Sequence, residues 1–223
     1  MDKTFDDIKD MLKANYHLLY LATSEYGRAL QKLRRIAYEM DYAFYSWDNV
    51  DGLQSHVKNQ SNRLEKVEKH KAHQETKGYQ ESVEYIKRDS EGGSSKKEIY
   101  VVEDFHKYFK DDKVIVYLRK LTNILKSYDK HLVLMSPFLK LPDELEKYVT
   151  ILNVPLPDRD DLKTRLATIS GSENINPDLE KYLIDSALGM TDMEADLAFR
   201  LAKEKVGLNS KDASRIIANE KEQ

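Results

Sequence analysis

Five short apolar segments limit the possible folds of this chain more than any other feature of its sequence. Each has the composition of a buried β-strand, and segments with helical periodicity separate them. Strands that alternate with helices in this way form a parallel sheet with helices on its faces. We therefore predict an α/β fold with a doubly wound, parallel, five-stranded sheet, built from residues 17–21, 42–47, 99–104, 131–136 and 149–154.

The strand patterns stop at residue 157, and only helical patterns follow. We therefore predict two parts, an α/β core at 1–157 and a small all-helical lid at 158–223. One lid helix, at 191–206, begins with a capping-box sequence. Its predicted core-facing stripe contains Met193, Leu197, Ala198 and Leu201.

Residues 52–97 form an insertion between the second and third predicted strands. Its first part is almost wholly polar, so we predict a surface segment there without strands, followed by a short helix at 78–88. His56, His70 and His73 fall in this insertion. No cysteine or carboxylate pattern accompanies them, so we expect no metal site.

Residues 16–36 have the order strand, tight loop, helix, which is the setting in which a G-x-x-x-x-G-K-[ST] loop holds phosphates at a helix N-terminus. In this chain Ala22 stands at the first glycine of that pattern and Gly27 at the second. Arg28 replaces the lysine, and Ala29 replaces the hydroxyl that would hold magnesium. Gly27 and Arg28 are the candidate nucleotide-binding residues of this loop.

Three interpretations of the loop remain open from these residues alone. It is an ordinary turn with Ser24 as the helix N-cap, a former phosphate loop, or one that still binds phosphate. Arg28 could still attract a phosphate, but Glu25 would repel one, and Ala29 offers nothing to a metal.

Two carboxylates end the most strand-like segment of the chain. Glu103 and Asp104 follow four hydrophobic residues, as in a Walker B strand, but with the two acids in swapped order. In a working site, one acid orients the magnesium shell and the other polarises the attacking water. Glu103 and Asp104 are the candidate catalytic residues, and Ser136, at the end of the next strand, is a candidate nucleotide-sensing residue. The alternative is that they are polar residues at a sheet edge without a catalytic role.

Composition excludes several classes of function. The chain has no cysteine, which rules out disulfides and thiolate chemistry, and its net charge of −3 gives no general signal for nucleic acid or anionic membranes. No apolar segment approaches the length needed to cross a membrane, and no signal-peptide pattern opens the chain. We expect a cytoplasmic location.

The order of these features resembles an AAA+ ATPase module, a doubly wound core followed by a helical lid. The resemblance is closest to the N-terminal half of the uncharacterised AAA ATPases of plastid and cyanobacterial type. Segments 149–166 and 187–195 carry the general resemblance to AAA family members, and segments 12–16, 103–106 and 136–145 carry the closer one.

In that family, a degenerate ATPase-like domain precedes an intact AAA+ domain, and ATP and magnesium belong to the parent enzyme. The resemblance therefore favours a former phosphate loop, with no cofactor expected in this chain. Family members carry arginines that reach into a neighbouring subunit, but residues 137–149 contain only Lys140 and Lys147 as basic residues. Arg200 stands where a sensor arginine would lie, although a surface arginine on a helix is the favoured explanation.

Three functions follow from these features. The first is a non-catalytic AAA-like module that acts as a scaffold, an oligomerisation domain or a recruiter of a protein partner, for an AAA+ catalytic domain expected after residue 223. The second is a weak ATP-binding or ATP-hydrolysing protein that uses Arg28, Glu103 and Asp104. The third is a nucleic-acid-associated AAA+ component, which the charge pattern disfavours.

Overall fold

The structure is a computed structural model of the chain, and it describes residues 3–57, 66–69, 74–92 and 97–221. The chain divides into an α/β unit, Lys3–Val154, and a helical unit that begins at Pro155. The helices are α1 (Lys3–Lys13), α2 (Tyr26–Glu39), α3 (Tyr79–Glu91), α4 (Asp112–Leu125), α5 (Arg159–Ser170), α6 (Pro177–Ala187), α7 (Asp192–Val206) and α8 (Ala213–Lys221).

The α/β unit is built on a seven-stranded sheet. Its strands are β1 (Leu18–Ala22), β2 (Ala43–Asp48), β3 (Gly52–Val57), β4 (Lys66–Lys69), β5 (Glu98–Glu103), β6 (Lys130–Ser136) and β7 (Thr150–Asn153). Their order is β4-β3-β2-β5-β6-β1-β7. The five strands from β2 to β7 in this order all run parallel, which confirms the predicted five-stranded parallel core.

The two faces of the sheet bury different side chains because successive residues of a strand point in opposite directions. In β1, Leu19 and Leu21 pack in the cluster that includes residues of α1 and α2. Leu18 and Tyr20 pack in the other cluster, which includes residues of α3 and α4. The central strands are thus covered on both faces, as a parallel sheet requires.

The insertion contains two strands that the polar sequence of this segment did not predict. β3 pairs antiparallel with β2, and β4 pairs antiparallel with β3. The chain turns sharply at Asp48, whose Oδ1 accepts hydrogen bonds from the backbone N–H groups of Val50 and Asp51 at 2.7 and 2.8 Å. This turn continues the sheet instead of ending it, and backbone pairing stabilises strands that lack an apolar pattern.

A buried lysine joins β5, β6 and α3. The Lys130 ammonium is fully buried and lies 2.6 Å from Glu98 Oε2 and 2.9 Å from Asp89 Oδ2. The Tyr100 hydroxyl oxygen lies 2.7 and 2.8 Å from the same two carboxylates, and its single proton can be donated to either of them. Removing the lysine would leave two carboxylates close together in a largely dry site.

The helical unit has its own core, formed by α5 to α8. Leu162, Leu166, Leu183, Phe199 and Ile217 lie in this core. Two of its helices have side-chain N-caps at Asp158 and Asn176, and α7 begins with a complete capping box formed by Thr191 and Glu194.

The predicted core-facing stripe of α7 is wrong in part. Met193 and Leu197 are 72% and 56% exposed, whereas Ala198 is buried together with Ala195, Phe199 and Ala202. The buried stripe is made mostly of alanine, because small residues allow neighbouring helices to approach closely. The prediction chose the wrong face because it relied on Met193 and Leu197, which are larger than the alanines.

Candidate functional site

The predicted site residues lie where the parallel strands end and α2 begins. The backbone N–H of Thr23, after β1, donates to the Ser136 carbonyl at the end of β6 at 2.7 Å. The N–H of Asp104, after β5, donates to the Met135 carbonyl at 2.8 Å. The carboxyl ends of β1, β5 and β6 therefore meet, which is the edge where α/β proteins bind ligands.

The start of α2 differs from the prediction. Glu25, and not Ser24, is the N-cap residue, and it makes no capping hydrogen bond through its side chain. Its backbone N–H instead donates to Thr23 Oγ1 at 2.9 Å. This bond fixes the loop from the Thr23 side, so Ser24 is left exposed.

Gly27 does not need to be a glycine for conformational reasons. It lies inside α2, and an added Cβ would meet no atom within 4 Å. A phosphate loop uses glycine so that backbone can approach the phosphates or adopt left-handed angles. Gly27 has no left-handed backbone angles, because it lies inside a helix.

A buried ion pair lies at the N-terminus of α2. Arg28 Nη1 is 3.8 Å from Glu25 Oε2, and the two side chains are only 5% and 4% exposed. The N-terminus of a helix attracts negative charge, because its free N–H groups carry the positive end of the helix dipole. Here the chain supplies that negative charge itself. The Arg28 guanidinium faces the Glu25 carboxylate, at the end of the helix where a phosphate would need this guanidinium.

Tyr26 links the loop to the acidic end of β5. Its hydroxyl donates to Asp104 Oδ1, and the Lys107 ammonium binds Asp104 Oδ2. Burial and the Asp104 carboxylate raise the pKa of Tyr26, so that its hydroxyl keeps the proton it donates. Burial alone would raise the pKa of Asp104, but Lys107 and Tyr26 together hold it below its ordinary value.

Asp104 is therefore an ionised carboxylate whose two oxygens both have partners within the chain. It also has a left-handed backbone conformation, with φ of 55°. Asparagine and aspartate tolerate this region better than other residues with a side chain. The geometry turns the chain away from β5 immediately after Glu103.

Glu103 is the chemically distinct carboxylate of this edge. Burial raises its pKa to about 7, and the nearby charges of Asp48 and Asp104 contribute to the rise. Within the described parts of the chain, its side chain makes no hydrogen bond or ion pair. A carboxyl group that titrates near neutral pH can act as a general base or acid. Glu103 is thus the one predicted catalytic residue whose environment suits proton transfer.

Ser136 is buried and its hydroxyl is used by the fold. Its Oγ lies 2.7 Å from the Tyr20 hydroxyl and 2.5 Å from the Phe138 carbonyl. Tyr20 also donates to the Phe138 carbonyl at 3.0 Å. These bonds fix the segment that follows β6, and a nucleotide would have to compete with them for the Ser136 hydroxyl.

In the part of the chain that the structure describes, no group of three or more histidine, cysteine or acidic residues could hold a metal. His56 Nε2 lies 2.7 Å from Ser46 Oγ, and burial, followed by the charge of Arg34, lowers the His56 pKa to about 4. His70 and His73 lie outside the described residues.

Arg200 lies on α7, where it binds within its own helix. Its Nε donates to Asp196 Oδ2 at 2.6 Å, and Arg165 of α5 lies 3.4 Å from Asp196 Oδ1. This bond within α7 is typical of a surface arginine, which is the explanation that the sequence favoured over a sensor.

Two functional features were missed from the sequence. The Glu25–Arg28 pair has the spacing of neighbours on a helix, so a helix starting at residue 25 would have indicated it. The hydrogen bond between Tyr26 and Asp104 joins residues 78 positions apart, so no local sequence pattern predicts it.

Comparison with known proteins gives a family match and several relatives. Residues 4–154 match the family model for the SpoVK-like AAA ATPase, N-terminal domain. The uncharacterized AAA domain-containing protein ycf46 of Trieres chinensis is 26% identical over 193 residues, which cover 83% of this chain and 35% of that protein. The ycf46 protein of Guillardia theta is 24% identical over 181 residues, 81% of this chain and 32% of its own length. The chain thus spans about a third of the length of these relatives.

The fold has a solved counterpart in the structure of C. elegans PCH-2. The TM-score is 0.59 at 11% sequence identity, and the match covers 98% of this chain and 67% of that chain. At this identity the match shows a shared fold and nothing about activity. In the described ranges, no helix combines the length and the apolar character needed to cross a membrane.

Proposed function

Because the chain belongs to the family of SpoVK-like AAA ATPase N-terminal domains, we propose that it is a non-catalytic AAA-like module. In this proposal it acts as a scaffold, an oligomerisation domain or a recruiter of a protein partner for an AAA+ ATPase. The relatives are about two and a half times as long as this chain, which leaves room in them for a separate catalytic domain.

The observation that carries the proposal is the buried Glu25–Arg28 pair at the start of α2. A nucleotide phosphate would have to displace Glu25 from Arg28 and from the helix N-terminus, and it would meet the repulsion of that carboxylate. Phosphoryl transfer depends on cations positioned around the phosphates. Here the candidate cation is already neutralised.

Two further features support the proposal. Ala29, at the position of the magnesium-binding hydroxyl, is fully buried in the core that includes residues of α1 and α2, and it has no oxygen to offer. Asp104, one of the two candidate acids, has both carboxylate oxygens engaged by Tyr26 and Lys107. Metal binding at Asp104 would require breaking one of these contacts.

The test is calorimetric titration of the chain with ATP and magnesium. We expect a dissociation constant weaker than about 1 mM, which corresponds to about 4 kcal/mol of binding free energy. The variant Glu25→Gln should bind inorganic triphosphate more tightly than the natural sequence, because it removes the competing charge. Glu146→Gln, an exposed change of equal charge, is the control and should change nothing. Micromolar ATP affinity that Arg28→Ala abolishes would overturn the proposal.

A second candidate function is weak ATP binding with slow hydrolysis, and the raised pKa of Glu103 favours it. In this case Glu103 would accept the proton of the attacking water, and Arg28 would contact a phosphate after releasing Glu25. Measurable ATPase activity that Glu103→Gln removes, with ATP binding retained, would support this candidate over the first.

The scaffold role has its own test. The chain, fixed on a resin, should retain a separately expressed AAA+ catalytic domain from a full-length ycf46 relative, and light scattering should report whether the chain alone forms oligomers. Failure to retain that domain, with a monomeric chain, would argue against both the recruitment and the oligomerisation forms of the proposal.

A further inference from the structure

A cavity of about 330 Å³ lies at the opposite edge of the sheet, at the amino ends of β1 and β7. The turn between α1 and β1, the end of α4 and the segment before β7 form its walls. Its lining includes Asn15, Tyr16, Lys126, Lys147 and Tyr148. Cavities that bind small ligands have volumes from about 300 Å³ upwards, so this one is large enough for a compact molecule.

The charge of this cavity has one sign. Its lining contains two lysines, Lys126 and Lys147, and no aspartate or glutamate. Within the described residues, neither ammonium group makes an ion pair or a hydrogen bond. Positive charges at the mouth of a cleft with low-dielectric walls reinforce each other and attract anions.

A second cavity of about 440 Å³ at the same edge provides an internal comparison. It is also lined by lysines, but carboxylates neutralise them. Lys9 lies 2.6 Å from Glu39, and Lys97 lies 2.9 Å from Asp129. The lysines of the second cavity are therefore paired with carboxylates, whereas Lys126 and Lys147 of the first cavity are available. The first cavity is the one suited to an anion.

Two tyrosines line the same cavity as these lysines. Tyr16 and Tyr148 are 45% and 41% exposed, although they are large side chains of a well-packed unit. Asn15, with a left-handed φ of 62°, bends the chain between α1 and β1 immediately before Tyr16. Exposed tyrosines next to cations provide stacking surfaces for a planar group whose other end is negatively charged.

From this combination we infer that the cavity binds a small organic phosphate that carries a planar ring, the chemistry of a nucleoside monophosphate. Lys126 and Lys147 bind the phosphate. Two cations suit the double negative charge of a phosphate better than they suit the single charge of a carboxylate. Tyr16 and Tyr148 contact the ring. This site is separate from the start of α2 and does not depend on the proposed function.

The test uses the whole 223-residue chain and AMP as the probe, with binding followed by calorimetry and by NMR shifts. We expect AMP to bind with a dissociation constant of a few millimolar, and adenosine and inorganic phosphate each to bind at least about tenfold more weakly. The double variant Lys126→Gln/Lys147→Gln should weaken AMP binding at least about tenfold. Tyr148→Leu should weaken the binding of AMP but not that of inorganic phosphate.

The matched control is Lys110→Gln/Lys120→Gln, which removes the same charge from exposed lysines outside the cavity. It should leave AMP binding unchanged. The inference is overturned if AMP does not bind at several millimolar, if the two lysine pairs have equal effects, or if inorganic phosphate binds as tightly as AMP. All the substituted lysines are exposed, so folding should be preserved, and circular dichroism checks this.

Discussion

Replacing Glu103 by glutamine should stabilise the α/β unit at high pH and leave its stability unchanged at low pH. The reason lies in the raised pKa of this carboxyl group. In the folded state the group is partly buried and faces Asp48 and Asp104, which raises its pKa from 4.5 to about 7. In the unfolded chain it returns to its ordinary value, so the two states bind different numbers of protons between these pKa values.

The sign follows from that difference. Between about pH 4.5 and 7 the folded state holds the proton more often than the unfolded state does, so the free energy of unfolding falls as the pH rises. The free-energy cost of holding Glu103 ionised in the folded state is absent below about pH 4.5 and complete above about pH 7. At about 1.36 kcal/mol for each pKa unit, complete burial would cost about 3 kcal/mol. Because the side chain is partly open to solvent, we expect a gain of about 1–2 kcal/mol for Glu103→Gln at pH 8.

The assay is urea unfolding at pH 8 and at pH 4.5, followed by tryptophan fluorescence. The chain has a single tryptophan, Trp47, which is buried in β2 and reports on the α/β unit. The control is Glu146→Gln, at an exposed position in the same unit. The reasoning is refuted if Glu103→Gln gives no gain over the natural sequence at pH 8, or if the same gain persists at pH 4.5.

Three further changes test other parts of the structure. Lys130→Met should destabilise the α/β unit by about 3–5 kcal/mol in urea, because the buried Glu98 carboxylate and the partly buried Asp89 carboxylate lose their cation; a loss below about 1 kcal/mol would contradict the buried network. Thr191→Ala should cost the helical unit about 1 kcal/mol in thermal unfolding, whereas Thr191→Ser should cost less. Tyr26→Phe should move the pKa of Asp104 up towards its ordinary value in an NMR titration, and an unchanged pKa would show that the two side chains do not interact.

The parallel core could be predicted because its strands are covered on both faces. A strand such as β5, with five of its six residues buried, appears in the sequence as a nearly continuous apolar run. The family resemblance rested on the order of such segments, and the comparisons confirm it. Local sequence patterns were sufficient to predict the parallel strands, because each buried position of a strand requires an apolar residue.

The features that could not be predicted depend on contacts between distant or polar residues. β3 and β4 are polar strands, which are stabilised by pairing with β2 and leave little trace in hydrophobic periodicity. The candidate residues Arg28 and Asp104 were correctly placed after strands, but their partners were not foreseen. The Tyr26–Asp104 bond forms only because β1 and β5 end at the same edge of the sheet.

The antiparallel extension of the sheet also bears on how the protein avoids aggregation. Without β3 and β4, the strand at this edge would be β2, whose sequence AFYSWD is rich in aromatic residues and would offer unpaired backbone groups to other chains. In the described sheet the outermost strand on this side is instead β4, with the sequence KVEK. Pairing with β3 thus occupies the backbone groups on this side of β2. The polar insertion thus covers the edge of the aromatic strand β2. A shortened chain that lacked the insertion would be expected to aggregate.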